Sequence, residues 1–245
     1  MSKVNKVLLV TGASSDIGVG FIRKNINEYQ TIIAQYRTDN EELIELATNS
    51  PERIILRKCD FSSLEETRLL ADSFGVITPM PTHFLHLPSI PFASVKFPKT
   101  DWKMFKDEFS VSFRSATILS QAILPKMAKA KYGKVVYMLT SFVINKPATK
   151  YATPYTTSKY ALLGLMNCLA AEYSDKNICV NGVSPSIIET SFLEKTPQLV
   201  IELNAEASPI KRNLQVDDVL PTIEFLLSSD SDCVTGQNIP ITGGN

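Results

Sequence analysis

The chain has 245 residues, and its 25 Lys and Arg balance 25 Asp and Glu, so it lacks the basic footprint of a nucleic-acid or anionic-membrane binder. A hydrophobic share of 44% with 20% charged residues suits one domain with a large core. No apolar run is long enough to span a bilayer, and four scattered cysteines with two histidines leave little for a metal cluster or a hydrolase triad.

The opening MSKVNKVLLVTGASS has too short an apolar run for a secretory leader. With Cys59, Cys168, Cys179 and Cys233 expected to be buried free thiols, a reducing, cytoplasmic location is the expectation. Residues 6–10 (KVLLV) have the look of a strand buried on both faces. TGASSDIGVG follows and runs into a helical pattern. Strand, glycine-bearing turn and helix is the arrangement in which backbone N–H groups receive a pyrophosphate. Gly12, Ser14, Ser15, Asp16 and Ile17 are therefore candidate cofactor contacts; a plain strand–helix turn is the alternative. A carboxylate beside a phosphate is unfavourable, so the Asp16 side chain should point away.

Residues 31–36 (TIIAQY) predict a second strand, followed by Arg37. A carboxylate at such a strand end binds the ribose 2′-OH of NAD, whereas an arginine suits the 2′-phosphate of NADP. Tyr36 stands where the NAD-selecting Asp would be and Asp39 lies just beyond, so NADP is favoured over NAD. Glu41, Glu42 and Glu45 mark the wet face of a helix, and residues 53–59 predict a third strand ending in Asp60 and Phe61. Asp60 could cap a helix that begins near Ser62 or Ser63.

A fourth strand is expected at 83–87, where His86 is either a group near a ligand groove or a satisfied structural histidine. A long helix is predicted over 101–131, with Lys126, Lys129, Lys131 and Lys134 as its wet end. Residues 133–140 (GKVVYMLT) make a fifth strand that ends in Thr140 and Ser141. Then comes YATPYTTSK, in which Thr153 is a plausible N-cap, Pro154 fits the first helical position, and Tyr155 and Lys159 stand four residues apart on one helical face. A phenol beside an ammonium makes a proton donor, and the ammonium should pull the phenol down from its usual value of about 10. On an isolated helix the same pair would be an ordinary solvated contact. Residues 178–184 predict a sixth strand, Asp217 and Asp218 precede a last helix, and VTGQNIPITGG makes the final strand.

In combination, the glycine turn, Asp60, the Ser/Tyr/Lys set and TGQ…GG resemble the short-chain dehydrogenase/reductase family, the single-domain branch typified by 3-oxoacyl-carrier-protein reductases. The turn is similar to the family's TGxxxGxG, with Gly12, Gly18 and Gly20 in register and Asp16 where the middle glycine stands. The resemblance implies that Asp60 meets the adenine amino group and that Ser112 falls where the family's helix asparagine holds a water of the proton relay. It also implies a hydroxyl that polarises the substrate carbonyl. Strand-end alignment points to Thr140 for that hydroxyl, while residue type and spacing point to Ser141, which is the residue taken. Ile188 and Thr190 are expected at the nicotinamide end, and residues 191–211 form a substrate lid. His86-Leu87-Pro88-Ser89 and Ser186 depart from the family's usual residues.

The expectation is one domain over 1–245, a doubly wound, mostly parallel Rossmann-type α/β sheet of about seven strands. Its implied activity is NADP(H)-dependent exchange of hydride between a small-molecule carbonyl and its alcohol. Ser141 would polarise the carbonyl, Tyr155 donate the proton, and Lys159 hold the ribose. A homodimer or homotetramer is implied. A dinucleotide-binding but weakly active regulatory subunit is the alternative, and a sugar-nucleotide epimerase or dehydratase a more distant one.

Overall fold

The computed structural model describes residues 5–144 and 149–244. Seven strands, β1 (Val7–Thr11), β2 (Thr31–Tyr36), β3 (Ile54–Lys58), β4 (His83–His86), β5 (Gly133–Met138), β6 (Ile178–Pro185) and β7 (Asn238–Ile241), form one sheet. Their order is β3-β2-β1-β4-β5-β6-β7, and every pairing is parallel. The helices are α1 (Asp16–Asn25), α2 (Glu41–Asn49), α3 (Leu64–Ser73), α4 (Trp102–Glu108), α5 (Ser115–Ala130), α6 (Thr153–Tyr173), α7 (Gln198–Ala207) and α8 (Val216–Leu227).

Both faces of the sheet are covered, which is why its strands read as continuous apolar runs. Leu8, Val10, Ile32 and Ala34 face a core shared with α1, α2 and α8, through Phe21, Ile22, Leu43 and Ile223. Leu9, Ile33, Phe84 and Val135, one residue out of step, face a second core with α3, α5 and α6, through Leu70, Leu119 and Leu162. The chain reverses its direction of winding between β1 and β4, and ligands of such sheets bind at the carboxyl ends of the strands at that point.

Side chains stitch these strand ends together. Gln35 accepts from Gly12 N at 2.9 Å and donates to the Cys59 carbonyl at 2.7 Å, joining β1, β2 and the residue after β3. Ser15, Asn40, Ser63 and Asp101 cap α1, α2, α3 and α4, each a contribution of about 1 kcal/mol.

Several expectations are corrected. Ala152, not Thr153, is the N-cap of α6, and Thr153 and Pro154 already lie within the first turn. Lys134 does not belong to a wet helix end. It is buried in β5, where its ammonium meets Asp232 at 2.7 Å and Ser231 Oγ at 3.2 Å. All four cysteines are free, but Cys168 and Cys233 are exposed. The helix expected at 101–131 is present, yet it widens into a π-helical segment at Phe109–Arg114 between α4 and α5. Such segments release a backbone carbonyl from its helical partner and recur at functional sites. Among the described residues, no helix is long and apolar enough to cross a membrane and no group of side chains could hold a metal ion.

Candidate active site

A cavity of about 560 Å³ opens at the carboxyl ends of the central strands. Its walls include Gly12, Ser14, Ser15, Asp16 and Ile17 of the glycine turn, Arg37 after β2, and Asp60 and Phe61 after β3. They also include Ser141, Tyr155 and Lys159, and Ile188 and Thr190 after β6. The residues predicted from distant parts of the chain therefore converge on one space. Ser112 is the exception: it is fully buried beneath the cavity wall, and Val111 lines the cavity instead.

The glycine turn fits a pyrophosphate. Gly12 has φ +69°, a left-handed conformation, and a Cβ there would sit 3.2 Å from the Pro88 nitrogen. At Gly18 a Cβ would meet the Gly12 and Ala13 carbonyl oxygens at 2.7 Å, so the first turn of α1 can pack on the loop only without a side chain. The leading N–H groups of a helix have no intrahelical acceptor, and Ser15 Oγ takes that of Gly18 at 3.1 Å. Asp16 turns its carboxylate to the start of the lid, accepting from Ser191 N at 2.8 Å and Ser191 Oγ at 2.7 Å.

After β2, Arg37 is exposed at the cavity wall. Asp39 is engaged by Lys58 at 3.1 Å, and the same ammonium lies 5.9 Å from the centroid of the Tyr36 ring. Lys58 stands beside Tyr36 in the sheet register, a second cation that chain spacing could not reveal. Asp60 does not cap α3, which Ser63 does; it accepts from Ser62 N at 2.8 Å in a tight turn.

The Tyr155 ring sits among Phe92, Phe142 and Phe192, at centroid distances of 5.6, 5.9 and 5.9 Å. Tyr155 keeps some exposure to the cavity, yet the crowding rings dominate: burial raises the phenol above its ordinary value, the Thr140 hydroxyl opposes this, and the Glu108 carboxylate adds to it. The expected lowering by Lys159 is thus not found. The ammonium lies 5.7 Å from the centre of the ring. It donates to the Met138 carbonyl at 2.8 Å.

His86 is resolved as a structural residue. A carbonyl can only accept, so Nε2 donates to the Ser112 carbonyl at 2.9 Å, and Nδ1 accepts from the Thr11 hydroxyl at 2.8 Å. Burial pushes its pKa down to about 3, so this neutral tautomer persists at neutral pH. The Ser112 carbonyl, within the π-helical segment, is therefore already taken, and the Ser112 hydroxyl has no hydrogen-bond partner among the described residues.

Part of the segment 191–211 lies along the cavity. Phe192, Leu193, Thr196, Pro197 and Val200 line it, while α7 buries none of its residues and leaves Leu199 and Leu203 exposed. One residue escaped the sequence reading altogether. Glu108, at the end of α4, is buried and its Oε2 has no hydrogen-bond partner among the described residues.

Comparisons with known proteins agree with this geometry. The family model described as enoyl-(acyl carrier protein) reductase matches residues 12–245. The 3-oxoacyl-[acyl-carrier-protein] reductase FabG of Thermotoga maritima is 28% identical over 245 residues, covering 98% of this chain and 97% of that one. Among solved structures, levodione reductase superposes with a TM-score of 0.88 at 19% identity, over 98% of this chain and 96% of that one. ElxO with NADP bound gives 0.86 at 22% identity, over 98% of each chain.

Proposed function

Because the chain belongs to the short-chain dehydrogenase/reductase family, we propose that it is a single-domain oxidoreductase that interconverts a carbonyl and a secondary alcohol with NADP(H). The observation that carries this reading is one cavity bounded by the glycine turn and Arg37 at one end and by Thr140, Tyr155 and Lys159 at the other. Bound NADP(H) would supply or accept the hydride. Gly12, Ser14 to Ile17, Arg37, Asp60, Lys159, Ile188 and Thr190 would hold it. In the reductive direction Tyr155 donates the proton and Thr140, rather than Ser141, polarises the carbonyl: Thr140 continues the extended line of β5 at the cavity wall, and its hydroxyl is the one that opposes the rise of the phenol.

Phe92, Phe142 and Phe192 surround the donor, so the substrate is a ketone with apolar or aromatic flanks rather than a polyhydroxylated sugar. An NADPH-oxidation assay across such a panel should favour cyclic and aromatic ketones over sugars by about tenfold or more in kcat/KM. No turnover of any carbonyl would overturn the proposal.

Cofactor choice follows from Arg37 and from the engagement of Asp39 by Lys58. NADPH should bind at least about tenfold more tightly than NADH, roughly 1.4 kcal/mol, and Arg37→Ala should erase most of that difference. Equal wild-type affinities in a fluorescence titration would refute it.

The protein assembles as a homodimer or homotetramer in the cytoplasm. Trp102 is 77% exposed and, with Phe105, Phe109 and Phe113, borders an apolar hollow of about 320 Å³. Light scattering that finds a monomer at micromolar concentration would exclude the assembly.

A further inference from the structure

We infer that Glu108 is a positioning residue for Lys159, the anionic partner that keeps this ammonium charged inside the fold. Lys159 is 1% exposed and donates to the Met138 carbonyl, a neutral acceptor. Glu108 is 7% exposed and sits at the last turn of α4, where Ser158 Oγ donates to its carbonyl oxygen at 3.3 Å. That bond fixes Glu108 against the residue immediately before Lys159. Its Oε2 is buried without a hydrogen-bond partner among the described residues, and so is the Ser112 hydroxyl four residues further along the helix. A buried carboxylate with an unused lone pair is costly unless a cation lies near.

The electrostatics agree in direction. Burial drives Lys159 towards its neutral form and Glu108 towards its protonated form, and the charge of each opposes the shift of the other. The other groups around the pair are few. Tyr155 lies on the same helix as Lys159, His86 on β4 is held neutral by burial, and Asp107 beside Glu108 pairs with Lys103 at the surface. Ser112, in contrast, offers its carbonyl to His86, and its hydroxyl carries no charge to set against the ammonium.

The consequence for turnover rests on the reductase reading, but the effect on Lys159 does not. On the alkaline side Glu108 is ionised and Lys159 loses its charge as pH rises. Without the carboxylate, that loss should begin at lower pH. Glu108→Gln keeps the shape of the side chain and removes its charge. NADPH binding, followed by cofactor fluorescence against pH, should weaken on an alkaline limb displaced downward by about one pH unit from wild type, with affinity at pH 6 changed less than about threefold. Asp107→Asn, with its surface partner, should leave the limb in place. For a ketone turned over by the wild type, the alkaline limb of kcat should move with the binding limb. Coincident binding limbs for wild type and Glu108→Gln would overturn the inference, whether or not any carbonyl is reduced. An equal displacement in Asp107→Asn would overturn it as well, since it would reduce the effect to general charge. Absence of turnover alone would count against the reductase reading and leave the binding comparison to decide on Glu108.

Discussion

Replacing Tyr155 by Phe should lower the rate of carbonyl reduction by roughly 10²- to 10⁴-fold, about 3 to 5 kcal/mol of transition-state stabilisation. The change removes one oxygen and keeps the ring, so the contacts to Phe92, Phe142 and Phe192 and the fold should survive. NADPH affinity should stay within a few-fold. Tyr151 provides the control: it is 48% exposed with φ 62°, and its carbonyl accepts from Val95 N at 2.8 Å, so its role is in the loop. Tyr151→Phe should be near wild type. The raised phenol also sets the sign of the pH dependence. Burial keeps Tyr155 protonated, which suits donation in reduction across the neutral range. Oxidation needs the phenolate, so its rate should climb with pH where reduction has begun to fall. Stopped-flow rates in both directions test this. A Tyr155→Phe enzyme that reduced its ketone at wild-type speed would move the proton donor elsewhere.

What could be read from the sequence is what depends on neighbours in the chain. The apolar runs at 6–10 and 31–36 are strands because both faces are buried, and each appears within a residue of its expected place. Tyr155 and Lys159 share a helical turn, so their pairing is a matter of spacing alone. The groups that complete the site are joined across distance. His86 meets Thr11 and Ser112, Gln35 meets Gly12 and Cys59, and Glu108 lies beside Ser158, fifty positions on. No local pattern announces such contacts. Lys134 shows the same limit: in a row of lysines it looks solvated, and only the fold brings Asp232 to its ammonium. The choice between Thr140 and Ser141 has the same origin, because the count back from Tyr155 passes through a loop whose length the chemistry does not constrain.

Thr140 and Ser141 therefore give the sharpest test of the site. Thr140 keeps an extended backbone, φ −161° and ψ 151°, continuing the line of β5, while Ser141 opens a short 3₁₀ turn at Ser141–Val143. Side chains of successive extended residues point to opposite sides. Leu139 faces the second core, and Thr140, the next residue, lines the cavity wall. Thr140→Val preserves shape and loses the hydroxyl, and kcat should fall by roughly 10²-fold, the usual scale for one donor at a developing oxyanion. Thr140→Ser should recover most of the rate, because the oxygen returns. Ser141→Ala should cost less than about threefold, since on this reading Thr140 supplies the polarising hydroxyl. Thr140 Oγ1 also accepts from Phe142 N at 3.4 Å, a long bond whose loss should lower the melting temperature only slightly. A circular-dichroism melt of the valine variant separates that effect from the chemical one. If Thr140→Val turned over normally while Ser141→Ala lost a hundredfold, the polarising hydroxyl would belong to Ser141, and Thr140 would serve only to hold the end of the strand in place.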